Sequence, residues 1–145
     1  MKDRFKFRAW IKSEKRYAYL LNLFNCGADA EQYEVEEYDE QGDYYTVYSS
    51  DEVVLQQCTG LKDKDGKLIY EGDIVEFRNP LGMKKRGIIM YDIDAALFQI
   101  QYLDNLDNWE LLDTYPLKVV GNILQEECKK QIKEDNYGEE KSTNS

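Results

Sequence analysis

The chain contains no histidine, and this single absence removes more chemistry than any other feature of its composition. Ser-His and Cys-His catalytic arrangements, imidazole general bases and the usual His-containing zinc sites all need that ring, so most hydrolase templates are excluded. Cysteine is also scarce. Cys26, Cys58 and Cys128 are odd in number and far apart, which argues against a disulfide framework or paired CxxC ligands and for reduced thiols. There is no long apolar run, no basic-then-apolar N-terminus and no lipidation box, so neither membrane insertion nor export is expected, and the expected location is cytoplasmic. Walker-type phosphate loops and dinucleotide fingerprints are missing too, because the glycines sit in hairpin-turn contexts and not at strand-to-helix junctions.

What is present favours a folded β protein. At 145 residues the chain suits one domain or two small lobes, with roughly 70% of the unfolded surface available for burial. Hydrophobic residues make up 42% and aromatics 13%, with twelve tyrosines, a supply that suits half-wet sheet faces. The net charge of −10 is unevenly spread: Met1 to Asn25 holds seven basic and two acidic residues, whereas Cys26 to Leu55 holds ten acidic residues and no Lys or Arg. Phosphate backbones repel such a chain on average, so nucleic-acid binding is disfavoured, although a local basic face outweighs the average at short range.

Alternation locates the strands. Phe5 and Phe7 alternate with Arg4, Lys6 and Arg8, and a polar turn at 12–15 leads to Tyr17–Phe24, predicting an N-terminal hairpin. Tyr33–Tyr38 and Tyr44–Tyr48 flank Glu40-Gln41-Gly42-Asp43, the composition of a second hairpin. In Asp63-Lys64-Asp65-Gly66 an aspartate opens a tight turn and a glycine supplies positive φ at its end; Gly72-Asp73 then restarts the chain as Ile74-Val75-Glu76-Phe77. Asn79-Pro80-Leu81-Gly82 breaks the pattern before Ile88–Tyr91, and Phe98, Ile100 and Tyr102 give the clearest alternation in the chain. Strand 118–124 carries Gly121 as a bulge or bend. Short strands at this spacing favour a small barrel over a parallel α/β sheet, with Val75, Phe77, Phe98, Ile100 and Val119 or Val120 in one core.

Candidate sites are few. Aligning Gly66 with the invariant glycine of a calcium loop puts Leu61 and Gly72 at the anchoring ligand positions, so this segment reads as a turn, and no metal or cofactor is expected. Asp92, Asp94, Asp104, Asp107, Glu110 and Asp113 form an acidic scatter that nothing in the spacing forces together. Two groups remain as binding candidates. Tyr33, Tyr38, Tyr44, Tyr45 and Tyr48 sit among carboxylates, suiting an interface with a wet polar rim. Lys84, Lys85 and Arg86 form a basic loop suited to phosphate or an acidic partner, with Tyr91 or Tyr102 near for stacking.

Three separated blocks carry a family resemblance: Phe5-Lys6-Phe7-Arg8-Ala9-Trp10, the Tyr70-Glu71-Gly72-Asp73 segment with its flanks, and Val119-Val120-Gly121-Asn122-Ile123. In this order they resemble the YopX family of phage and prophage proteins. The resemblance implies a mainly β protein of antiparallel strands with an SH3-like small barrel in its C-terminal half, so a single domain is expected over 1–128, with a β-rich N-terminal lobe over about 1–53 and the barrel over about 54–128; the charged residues at 129–145 read as a tail. It supplies no catalytic or ligand residues. The expected function is therefore a non-enzymatic, phage- or prophage-encoded module that binds a host or phage protein. Self-association is a further expectation, since the basic N-terminal segment of a neighbouring copy complements the acidic insert. The alternative is a nucleic-acid-associated accessory protein using Lys84, Lys85 and Arg86, which a steep salt dependence of binding would distinguish.

Overall fold

Alternating and β-branched residues punctuated by Asx-Gly turns leave little room for helix, and the described residues form twelve strands. The computed structural model describes residues 6–24 and 32–127. Expectations for Arg4, Phe5, Cys26, Cys128 and the 129–145 tail lie outside these residues, as do the side chains of Tyr44 and Tyr45. The strands are β1 (Phe7–Ile11), β2 (Arg16–Ala18), β3 (Leu21–Phe24), β4 (Glu34–Tyr38), β5 (Tyr44–Ser49), β6 (Val53–Lys62), β7 (Leu68–Tyr70), β8 (Asp73–Arg78), β9 (Lys84–Asp92), β10 (Leu97–Tyr102), β11 (Trp109–Leu111) and β12 (Lys118–Asn122). They divide into two units, Met1–Glu71 and Gly72–Ser145.

The first unit holds a four-stranded sheet in the order β2-β1-β6-β7 and a three-stranded sheet in the order β3-β4-β5. All pairings are antiparallel. Ala9, Ile11, Ala18 and Val53 from the first sheet meet Val35 and Tyr48 from the second in one buried cluster, with Leu21, Leu23, Tyr33 and Leu55 packed around it. The acidic hairpin therefore contributes Val35 and Tyr48 to a core. The expected division near residue 53 is replaced by one after Glu71, because β6 pairs along its length with β1 and then with β7.

The second unit is a five-stranded antiparallel sheet in the order β11-β10-β9-β8-β12. Register places Val75, Phe77, Gly87, Ile89, Tyr91, Phe98, Ile100, Tyr102 and Val119 on one face. Val75, Ile89 and Ile100 are fully buried there. Tyr115 stacks on Phe77 at 5.2 Å between ring centres, and Tyr102 meets the same ring edge-on at 5.6 Å. Val119 belongs to this face and Val120 is exposed, with a bulge between Val119 and Gly121. The antiparallel β architecture expected for this half is present, and among the described residues no ladder joins β11 to β12, which leaves the sheet open. Two boundaries also differ: β9 begins at Lys84, making the basic loop a strand, and the chain turns helical at 123–127, where the strand was expected to continue to Leu124.

Three hairpins use one turn device. Asp39, Asp63 and Asn79 each accept, through a single side-chain oxygen, the backbone N–H groups two and four residues ahead, at 2.8–3.1 Å. Gly42, Gly66 and Gly82 then take φ of +83°, +83° and +78°, each two residues before the next strand begins. Lys15 and Ala96 adopt positive φ without being glycine.

Two glycines separate conformational from steric cost. A Cβ at Gly66 would meet nothing within 4 Å, so Gly66→Val is expected to lose about 1–2 kcal/mol through the left-handed backbone alone, read as a lower melting temperature. Gly87 has the opposite problem. A Cβ there would overlap the Ile100 side chain and lie 2.9 Å from the Gln101 carbonyl oxygen, so even Gly87→Ala should cost about 1–3 kcal/mol in denaturant melts.

A pH dependence follows from Tyr102. Burial, then its hydrogen bond to Glu110 at 3.1 Å, pushes its phenol from 10.0 to about 12. A raised folded value means stability present below the unfolded pKa and lost as pH rises through the folded one. The melting temperature should therefore fall between pH 10 and 12, and Tyr102→Phe should flatten part of that fall. A residual slope is expected from Tyr48, whose phenol is shifted in the same direction by burial and by the Glu14 and Glu37 carboxylates.

Candidate binding groove

In the first unit the chain leaves β2 at Ala18 and crosses to β3 through Tyr19 and Leu20. Tyr38 donates its backbone N–H to the Leu20 carbonyl at 3.0 Å, fixing this crossing beside the end of β4. The result is an open groove of about 400 Å³. One wall is Tyr17–Leu20, the other Tyr38–Glu40, and Arg16 and Glu37 also line it.

Arg16 and Glu37 form a two-pronged ion pair with both N···O distances at 2.7 Å. Glu37 shares the core face of its sheet with Val35, since Leu21, Glu37 and Thr46 fall in one row. A carboxylate there needs a charged partner, and the arginine fork supplies matched donors. Arg16 also holds Glu14 at 3.0 Å, and Tyr48 donates its hydroxyl to Glu14 at 3.2 Å. The Glu37 hydrogen bond, with Glu14 adding to it, raises the arginine pKa further above its ordinary value.

The aromatic wall is built from behind. Trp10 meets Tyr17 edge-on at 5.0 Å, Tyr17 lies 6.1 Å from Tyr19, and Tyr19 meets Tyr70 edge-on at 6.0 Å. The Arg8 guanidinium sits 4.2 Å from the Tyr17 ring centre and 4.7 Å from that of Tyr70. Gln56 accepts from both Arg8 (2.9 Å) and Tyr17 (3.0 Å), and the Glu71 carbonyl accepts a further Arg8 N–H at 3.2 Å. Arg8 is buried, so ring faces and oxygens replace its water shell. Tyr19 ends this array with 55% of its surface exposed, beside Leu20 at 50%.

The residues singled out from the sequence scatter. Tyr48 is buried in the core, a correction to its expected place on a surface, and half-buried Tyr33 packs against the same cluster. Tyr38 borders the groove and donates its hydroxyl to Glu36. Lys84, Lys85 and Arg86 lie in the other unit, on β9. Lys84 and Arg86 share Glu76 at 3.1 and 3.2 Å, while Lys85 holds Asp104 at 2.8 Å. Lys84 first, then Arg86, holds the Glu76 carboxyl below its usual range, and Lys85 does the same for Asp104. The acidic scatter is likewise divided: Asp92 accepts turn N–H groups, Asp104 takes Lys85 and Glu110 takes Tyr102. Among the described residues no group of three or more Cys, Asp or Glu side chains is gathered to hold a metal ion.

Sequence reasoning passed over Arg16, Tyr19, Leu20 and Glu37. The available signal was the pair Tyr19-Leu20, which breaks the alternation with two large adjacent side chains that one strand face cannot bury together.

Comparison with known proteins agrees with this architecture. The structure resembles the crystal structure of protein EF1440 from Enterococcus faecalis, with a TM-score of 0.56 at 23% identity over 83% of this chain and 93% of that one. It also resembles protein YopX from Bacillus subtilis, with a TM-score of 0.59 at 16% identity over 84% of this chain and 94% of that one. At these identities the likeness concerns the fold. A search of curated proteins finds no match. The family model described as YopX protein matches residues 6–127, across both units, and the chain accordingly belongs to the YopX family.

Proposed function

We propose that the chain is a non-enzymatic binding module, phage- or prophage-encoded and working in the host cytoplasm, that receives a protein partner in the groove between Tyr19-Leu20 and Tyr38–Glu40. The observation that carries this reading is Tyr19: a large exposed ring, already fixed by Tyr17 and Tyr70, next to exposed Leu20. A prepositioned aromatic buries area with little further loss of side-chain freedom, as interface anchors do. The opposite lip carries Asp39 and Glu40, so a basic group beside an apolar one on the partner fits the groove. The non-enzymatic reading is supported by the missing imidazole and by the separate structural partners of the acidic side chains. The charge complementarity that suggested self-association is partly satisfied within the chain, where Arg16 of the basic segment binds Glu37 of the acidic one. A nucleic-acid reading gains no support from Lys84, Lys85 and Arg86, each already beside a carboxylate.

The test is capture from host extract with the full chain and with the double variant Tyr19→Ala, Leu20→Ala. Both side chains are exposed, so the variant should melt close to the parent, while losing its specifically captured protein by about tenfold or more. An unchanged captured set with an unchanged melt would remove the groove from the function.

A further inference from the structure

In the second unit a separate surface lies at β11. This strand is the edge of its sheet, paired to β10 through Gln99↔Leu111, Ile100↔Glu110 and Gln101↔Trp109. Tyr102 donates its N–H to the Asn108 carbonyl at 3.0 Å, so the hydrogen-bonded positions of this ladder are Asn108 and Glu110. The backbone groups of Trp109 and Leu111 therefore point away from β10, toward the open edge. The Leu111 carbonyl accepts from Thr114 at 3.2 Å, and the ladder phase turns the Leu111 N–H and both backbone groups of Trp109 toward the open edge.

The side chains beside this edge are apolar and exposed. Trp109 (55%) and Leu111 (46%) share a sheet face with Met90 (39%), in rows that run Met90–Gln99–Leu111 and Ile88–Gln101–Trp109. Leu103 and Leu106 are exposed in the preceding loop. Over 103–117 the chain carries Asp104, Asp107, Glu110 and Asp113 and no Lys or Arg; Asp104 is paired with Lys85, which leaves Asp107, Glu110 and Asp113 as the acidic groups here without a cation among the described residues.

We propose that β11 is a docking edge completed by an extended segment of another protein, with basic and apolar residues in alternation, whose backbone pairs with Trp109 and Leu111. Strand addition supplies the main-chain bonds, the Met90–Trp109–Leu111 face takes the apolar side chains, and the acidic surroundings select the cations. A second copy of this chain fits poorly. A two-fold pairing centred on the middle of β11 would set Glu110 opposite its own symmetry mate, and any two-fold register brings the acidic 103–117 segments of two copies together, which opposes pairing. This surface is independent of the groove in the first unit.

The test uses the full chain with a short synthetic peptide of alternating valine and lysine, followed by amide exchange in NMR. The expected result is new protection at the Trp109 and Leu111 amides, with Tyr102 unchanged. Trp109→Ala and Leu111→Lys, both at exposed sites, should each weaken the peptide by about tenfold while melting like the parent. Three results overturn the proposal. Equal binding of the same peptide N-methylated at alternate amides means charge attraction without strand addition. Equal binding of a valine–glutamate peptide removes the charge argument. Protection at Trp109 and Leu111 without peptide, with a dimer mass in light scattering, assigns the edge to a second copy.

Discussion

One oxygen holding two backbone N–H groups sets the register of this protein. At Asp39, Asp63 and Asn79 the same short acceptor closes the same five-residue turn, and a glycine relieves the positive φ that follows. Register in a hairpin decides which face each side chain occupies, and a slip of one residue would turn Val35, Val75 and Phe77 outward. These turns lie in both units and join β4 to β5, β6 to β7 and β8 to β9. The placement of the buried side chains depends on them before any hydrophobic contact is made.

Charge is handled differently in the two units. In the first, Glu37 falls on the core face because its register demands it, and Arg16 reaches across from the other sheet to neutralise it. In the second, Glu76 stands on the outer face between two cations of the neighbouring strand. Both pairs are cross-strand or cross-sheet, so neither shows in local sequence. The acidic hairpin whose tyrosines suit an interface with a wet rim is in fact tied at Glu37 and packs onto Ala9, Ile11 and Val53.

Where the sequence was informative, it was because one local rule acted alone. Asp63 and Gly66 announced their turn through turn chemistry, and Phe98, Ile100 and Tyr102 announced their face through simple alternation. The boundary near residue 53 was misplaced because β6 begins at Val53 but finds its partner in β1, a pairing that no local pattern records. Lys84, Lys85 and Arg86 looked like a loop because three cations in a row mask alternation; their strand is revealed only by Arg78, Phe77 and Glu76 across the ladder. The groove was hidden for the same reason, since Tyr19 and Glu40 meet only after the two sheets have stacked.

The placement of β1 also bears on the time the chain needs to fold. Most ladders join strands that are neighbours in sequence, and such hairpins close with little loss of loop entropy. Two do not: Phe7 must find Gln57, and Asp73 must find Asn122. The first closure encloses the whole β3–β5 sheet, so early formation of that sheet shortens the loop still to be closed. Folding of the first unit is thus expected to wait on its acidic hairpin, giving that segment a kinetic role that its charge does not suggest.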